Sequence, residues 1–367
     1  MSRSDPSLVW PRLTDWPSTR APLVYLDLNH WIYLAQANSG LSSGARFLSA
    51  LDACRNACVS GAARFVLSGS HYLEMVKIRD PAQRRAIADV MEQLTDFAVL
   101  VSRVVIMELE LEATLNRFVI AIPSLPPVAL VERGVRHAFG IKSGLRIMGP
   151  EGDATEHVRQ QMGPEKFDAF VADANLQLER SVLRGPTDEE VEKLEQYGWN
   201  PAGPTAVATK RADEEQAQGS RLDEEGGRWR RGRLRDLVAA REILIEFQNM
   251  MPRALAARAL TLEGVGPTPE AAMAFVRSMP STEVSIEIKA AWHRNAHKRW
   301  SPNDIHDIDA LSLAVPYCDI VVTEKGCHHL LKAARLDRRM HTTILRRLDD
   351  LPAALEHWSP PALELFR

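Results

Sequence analysis

The chain has 367 residues, 45% of them hydrophobic and 25% charged, enough for one large or two ordinary globular domains with a sizeable buried core. A net charge of −3 argues against wholesale attraction to a polyanion, so any grip on nucleic acid has to come from a local basic surface. The four cysteines (Cys54, Cys58, Cys318 and Cys327) form no Cys-x-x-Cys unit, and there is neither an apolar leader nor an apolar run long enough to span a bilayer, so the expectation is a cytoplasmic protein with no membrane partner.

Residues 1–21 hold three prolines and two tryptophans without a clear period and read as an irregular arm. Leu23-Val24-Tyr25-Leu26-Asp27 is an apolar run ending in a carboxylate, and residues 30–37 take a helical period. Asp27 therefore lies where a strand hands over to a helix, the place where α/β proteins set their sites. Residues 43–60 predict an amphipathic helix and residues 64–67 a second strand, with Ser70 capping a helix that carries Glu74. A third apolar run at 97–101 and a helix with Glu108, Glu110 and Glu112 complete the first portion, 22–118.

From 119 to 282 the apolar segments turn helical in period and no strand is legible, which predicts a mostly helical insertion. Within it, residues 198–227 are rich in Pro, Gly, Ala and alternating charge, and read as a mobile linker, while 235–251 form the best helix. The last portion, 283–367, contains Ser301-Pro302-Asn303-Asp304-Ile305-His306-Asp307-Ile308-Asp309. Ser followed by Pro is a helix start, so these acids occupy the first turns of a helix. Ile320-Val321-Val322 then reads as a buried parallel strand followed by Thr323 and Glu324, with a last strand at 342–348 and a closing helix at 351–358.

Asp27, Glu74, Asp307 and Glu324 thus recur at one kind of place, the carboxyl end of a strand or the helix after it, and a parallel sheet gathers such positions at one edge. Carboxylates held together repel one another unless a hard divalent cation sits among them. Mg²⁺ suits a few carboxylates with several retained waters, and such ions activate water for phosphodiester attack. The plainer alternative is that each acid caps or decorates its own helix. Asp304 stands at the capping-box offset from Ser301, so it serves either as cap or as a further metal ligand; Asp309 faces away from Asp307 and reads as structural.

These residues resemble the PIN-like nuclease domain. The resemblance rests on Val24-Tyr25-Leu26-Asp27-Leu28-Asn29, on Ser70-His71-Tyr72-Leu73-Glu74, on the acidic helix from Asn303 and on Asp319-Ile320-Val321-Val322-Thr323-Glu324. It covers 22–118 and about 283–350 and leaves the middle unexplained. It implies an α/β PIN-like domain with a central parallel sheet, interrupted by the insertion, and a Mg²⁺- or Mn²⁺-dependent nuclease, usually acting on RNA. Asp27, Glu74, Asp307 and Glu324 would take the acidic roles, supported by Asn29 and Thr323. The sequence departs from the family pattern in having Glu324 where an Asp is commoner, and in the length of the insertion. RNA is the expected partner, with DNA and an inhibitory or regulatory protein as further candidates. A catalytically silent binding module is the reading from another class.

The run Trp292-His293-Arg294-Asn295-Ala296-His297-Lys298-Arg299-Trp300 interleaves bases and aromatics just before the acidic helix. Arg294, Lys298 and Arg299 are therefore candidate phosphate contacts, against a packed helix with snorkelling cations as the alternative. His293 and His297 have the i, i+4 spacing of a zinc pair, but no Glu follows His293 and the neighbouring cations oppose a metal.

Overall fold

A computed structural model describes residues 5–14, 21–119, 126–142, 144–196, 203–225 and 227–359. The strands that matter for the site are β1 (Leu23–Leu26), β2 (Arg64–Val66), β3 (Ala98–Leu100), β4 (Val131–Arg133), β5 (Ile320–Val322) and β6 (Thr343–Leu345). The principal helices are α1 (Leu28–Asn38), α2 (Leu48–Ser60), α3 (Gly69–Met75), α4 (Pro81–Thr95), α5 (Arg103–Leu115), α6 (Pro164–Arg184), α7 (Gly203–Glu224), α8 (Leu234–Arg241), α9 (Pro280–Arg294), α10 (Pro302–Tyr317) and α11 (Lys325–Ala333). The fold is mixed α/β and mostly helical.

The central sheet has the order β6-β5-β1-β2, all parallel, so the middle strand β1 is flanked by one neighbour from each end of the chain. β3 continues it through a parallel bridge between Leu67 and Val99, and β4 pairs antiparallel with β3. Every residue of β1 and β5 is buried, as a sheet covered on both faces requires. Strand alternation divides the interior in two. Tyr25, Val66, Leu100 and Val321 point into one core with Ile305, Ile308 and Leu311 of α10, whereas Val24, Leu26, Phe65, Val99 and Val322 point into the other with α1, α2 and α4. A third core joins α5 to the insertion through Met107, Leu111, Val238, Phe247 and Ile286.

The insertion departs from its expected form in two ways. It contributes β4 to the sheet, so it is not purely helical. The segment expected to be a mobile linker is instead the 22-residue helix α7 over most of its length, with 198–202 and 226 lying outside the described residues. Its contact face is built from Ala208, Ala212 and Leu222 and from paired charge, so little hydrophobic content was needed to pack it against α10. Arg211 of α7 makes a bidentate pair with Asp309 of α10 at 2.6 and 3.0 Å, and Arg103 of α5 reaches the same carboxylate at 3.1 Å. Burial pushes the Asp309 carboxyl up, but the two guanidiniums outweigh it and hold it below the usual range. Around this pair, Glu215, Glu242 and Glu246 are matched by Lys289, Arg241 and Arg211. Asp309 is structural, as its position on the helix predicts.

The expected helix at 235–251 is also broken: α8 passes into a π turn at Glu242–Glu246, which places both acids of that turn toward Lys289. The amino-terminal arm packs where it is described, with Leu8 buried and Leu13–Thr14 paired to Val128–Ala129. No helix among the described residues is long and apolar enough to cross a membrane.

Replacing Arg211 by Ala should destabilise the fold by about 3 kcal/mol, since Asp309 then keeps only Arg103 against its buried charge. Urea unfolding checks this; a loss below about 0.5 kcal/mol would place the pair with ordinary surface ion pairs.

Candidate active site

Because the four central strands run parallel, their carboxyl ends lie along one edge, and the residues that follow them arrive there together. Asp27 directly follows β1 and stands at the start of α1, its N–H donating to the Val322 carbonyl at 3.0 Å. Glu324 follows β5 after Thr323 and stands at the start of α11. Glu74 comes from α3 and Asp307 from α10, which packs against α3.

The four acids are close enough to act on one another. Burial and the charge of Glu324 raise Asp27 to about 6. Burial, then Asp27, raises Glu74 to about 8, with Lys77 acting against the shift. Burial, then Asp27, Glu74 and Glu324, raises Asp307 to about 8. No donor among the described residues hydrogen-bonds the carboxylates of Glu74 or Asp307, and among those residues Lys77 is the nearby cation that acts on them. These are oxygen donors with uncompensated charge, the chemistry that a hard divalent cation satisfies. As they stand, however, no set of three or more His, Cys, Asp or Glu side chains among the described residues is arranged to hold a metal ion.

Both expected supporting residues lie at the site. Asn29 donates its side-chain amide to Glu324 Oε1, and Thr323 Oγ1 lies 3.5 Å from Asp27 Oδ2. Asp304 lies near enough to Asp307 to add to its shift, but its carboxylate is already engaged within its own helix start. Its Oδ2 accepts from the Ser301 N–H at 2.7 Å and hydroxyl at 2.8 Å, completing a capping box, and its Oδ1 accepts from Lys298 at 2.5 Å. Lys298 is likewise withdrawn from the expected phosphate contacts, since it also lies 4.8 Å from the centre of the Trp292 ring. Arg294 and Arg299 remain exposed and without an ion pair among the described residues. The zinc spacing is dissolved: α9 ends at Arg294, His297 lies beyond it, and His293 Nε2 meets Glu215 at 2.8 Å.

Ser68, not Ser70, caps α3, and the Ser70 hydroxyl donates to the His306 carbonyl at 3.3 Å, tying α3 to α10. The sequence reading gave no role to His71, Lys77 or His30. His71 is fully buried; its Nε2–H donates to the Leu26 carbonyl at 2.8 Å and its Nδ1 accepts from the Ser68 N–H at 2.9 Å, which fixes the tautomer and locks α3 to the end of β1. Its three-residue offset from Ser68 was the available signal. Lys77, felt by both Glu74 and Asp307, donates to Asn303 Oδ1 at 2.8 Å. His30 is 5% exposed; burial lowers its pKa to about 4 against a hydrogen-bonding contribution from the Thr323 backbone, and neither ring nitrogen makes a hydrogen bond of good geometry.

Comparison with family models, with curated proteins and with solved structures finds no match for this chain.

Raised carboxylate pKa values carry a stability consequence. Such a group favours folding below its unfolded pKa, near 4, and that contribution is lost as pH rises through the folded value, about 8 for Asp307. In metal-free protein, Asp307→Asn should therefore gain thermal stability over wild type progressively from about pH 4 to pH 8, with no further gain above. Melting temperatures of both proteins across that range test it, and a pH-independent difference would show that Asp307 does not feel the other acids.

Proposed function

We propose that this chain is a divalent-cation-dependent nuclease of the PIN-like kind, hydrolysing phosphodiester bonds, with RNA as the expected substrate. The observation that supports this reading is the group of part-buried acids at one sheet edge, raised in pKa by burial and by each other. Asp27, Glu74, Asp307 and Glu324 would hold Mg²⁺ or Mn²⁺. Bound there, the ion supplies a water of lowered pKa and neutralises charge developing on the phosphate oxygens. The chain's own part is positioning. Asn29 orients Glu324, Thr323 steadies Asp27, and His71 keeps α3 in register with β1 so that Glu74 faces Asp27. No covalent intermediate on the protein is required.

A second reading, a catalytically silent module that binds nucleic acid or protein, is favoured by one observation: the acids are not arranged to hold an ion as they stand. Metal-dependent turnover separates the two. Labelled RNA and DNA should be tested with and without Mg²⁺ or Mn²⁺. Cleavage of RNA that Asp27→Asn and Asp307→Asn each reduce by more than about 100-fold supports the nuclease reading, and full activity in either variant removes that residue from the site. Asp304→Asn should keep most of the activity while losing about 1 kcal/mol of stability with its capping box. Mn²⁺ should also raise the melting temperature of the wild type and not that of Asp307→Asn, a readout independent of turnover.

A further inference from the structure

A cavity of about 470 Å³ opens beside the acid cluster, between α1, the turn that follows it, and the ends of β5 and β6. Its wall includes Asn29 and Glu324, so it shares a side with the candidate site. Four cations line it, and three of them (Arg46, Lys325 and Arg346) make no ion pair with any described residue; only Arg347 is engaged, with Asp349 at 3.0 Å. In a chain of net charge −3 that pairs most of its buried cations, three free ones around one hollow mark a place for negative charge. The Arg46 guanidinium is held 4.3 Å from the centre of the Phe47 ring, and Phe47 stacks on Tyr33 at 4.7 Å, so the cation is oriented without a carboxylate and keeps its donors. His30 supplies the second observation. It lines the cavity, is 5% exposed, and makes no hydrogen bond of good geometry through either ring nitrogen, although the Thr323 backbone lies near enough to act on one of them. A buried imidazole in that state is short of at least one hydrogen-bond partner, which a ligand entering the cavity would provide.

We propose that this cavity holds one nucleotide of a single-stranded polynucleotide, its phosphate on Arg46, Lys325 and Arg346 and its base or sugar against His30 and Tyr33. The volume is that of a small-ligand pocket. His30 is reached only by a group that enters, which an unstacked base or its ribose does and a paired base inside a duplex does not. The proposal rests on the phosphodiester reading of the acid cluster, since Glu324 belongs to both and the bound nucleotide would neighbour the bond to be cut. It assigns substrate binding to this hollow rather than to the Trp292–Trp300 stretch, where Lys298 is already paired.

The test is binding of a fluorescein-labelled single-stranded RNA, by anisotropy in EDTA across a salt series, so that cleavage plays no part. Arg46→Gln/Lys325→Gln/Arg346→Gln changes only exposed side chains. It should weaken binding and flatten the slope of log affinity against log salt by about 0.7, the loss of one phosphate contact, in wild type and Asp307→Asn backgrounds alike. Arg294→Gln/Arg299→Gln should leave the slope unchanged. His30→Phe should cost about fivefold in affinity; loss with RNA but not with DNA of the same sequence assigns the ribose hydroxyl, and equal loss with both assigns the base. Equal slopes for wild type and the triple variant, or no binding by wild type, overturn the proposal. A flattened slope in a protein that cleaves nothing with any metal keeps the pocket and removes the nuclease reading; cleavage with unchanged slopes does the reverse.

Discussion

Repulsion among carboxylates that the fold does not neutralise is the constraint around which this protein is arranged. Ordinary folding would separate Glu74 and Asp307 from Asp27 or supply each of the two with a donor, because an unpaired charge out of water is among the costliest features a protein carries. The sheet does the opposite. Parallel pairing on both sides of β1 delivers Asp27 and Glu324 to one edge, and the hydrogen bonds of His71 and Ser70 fix the helices that bring Glu74 and Asp307. The chain keeps the cost in place with buried packing around it, which is how strained or destabilised functional positions persist.

Other charges in the protein are treated very differently, and the contrast is informative. On the far side of α10, Asp309 is clamped by Arg211 and Arg103, and Glu215 of α7 and both acids of the π turn each find a cation. The same helix thus presents a compensated carboxylate to the insertion and an uncompensated one to the sheet edge. Compensation fits a docking role for Asp309, because paired charges fix geometry; its absence at Asp307 fits a group that meets something from outside the chain.

Much of this was legible in the sequence where a local signal coincided with a tertiary one. Apolar runs ending in acids marked Asp27 and Glu324 because fully buried parallel strands are apolar throughout, and Ser301-Pro302 marked the start of α10. The linker reading failed because α7 packs through alanines and ion pairs, which hydrophobic content does not register. Asp304 was ambiguous because one residue type serves caps and cations alike, and only the hydrogen bonds from Ser301 and Lys298 distinguish the two. His30 and the cavity cations come from four separate stretches of chain, and no spacing within any one of them announces that they meet.

The placement of β1 between strands from opposite ends of the chain bears on how the protein comes into being. The Leu23 N–H is bonded to Asp319, and Asp27 to Val322, across almost the whole sequence. A ribosome therefore releases Asp27 and Glu74 long before Asp307 and Glu324 exist, and the nascent chain carries β1 with one edge unpaired. Contacts of such sequence separation form late, after their loop-closure cost has been met. The acid cluster is thus absent from any nascent chain that stops short of Glu324 and arises only once β5 and the residues after it have emerged.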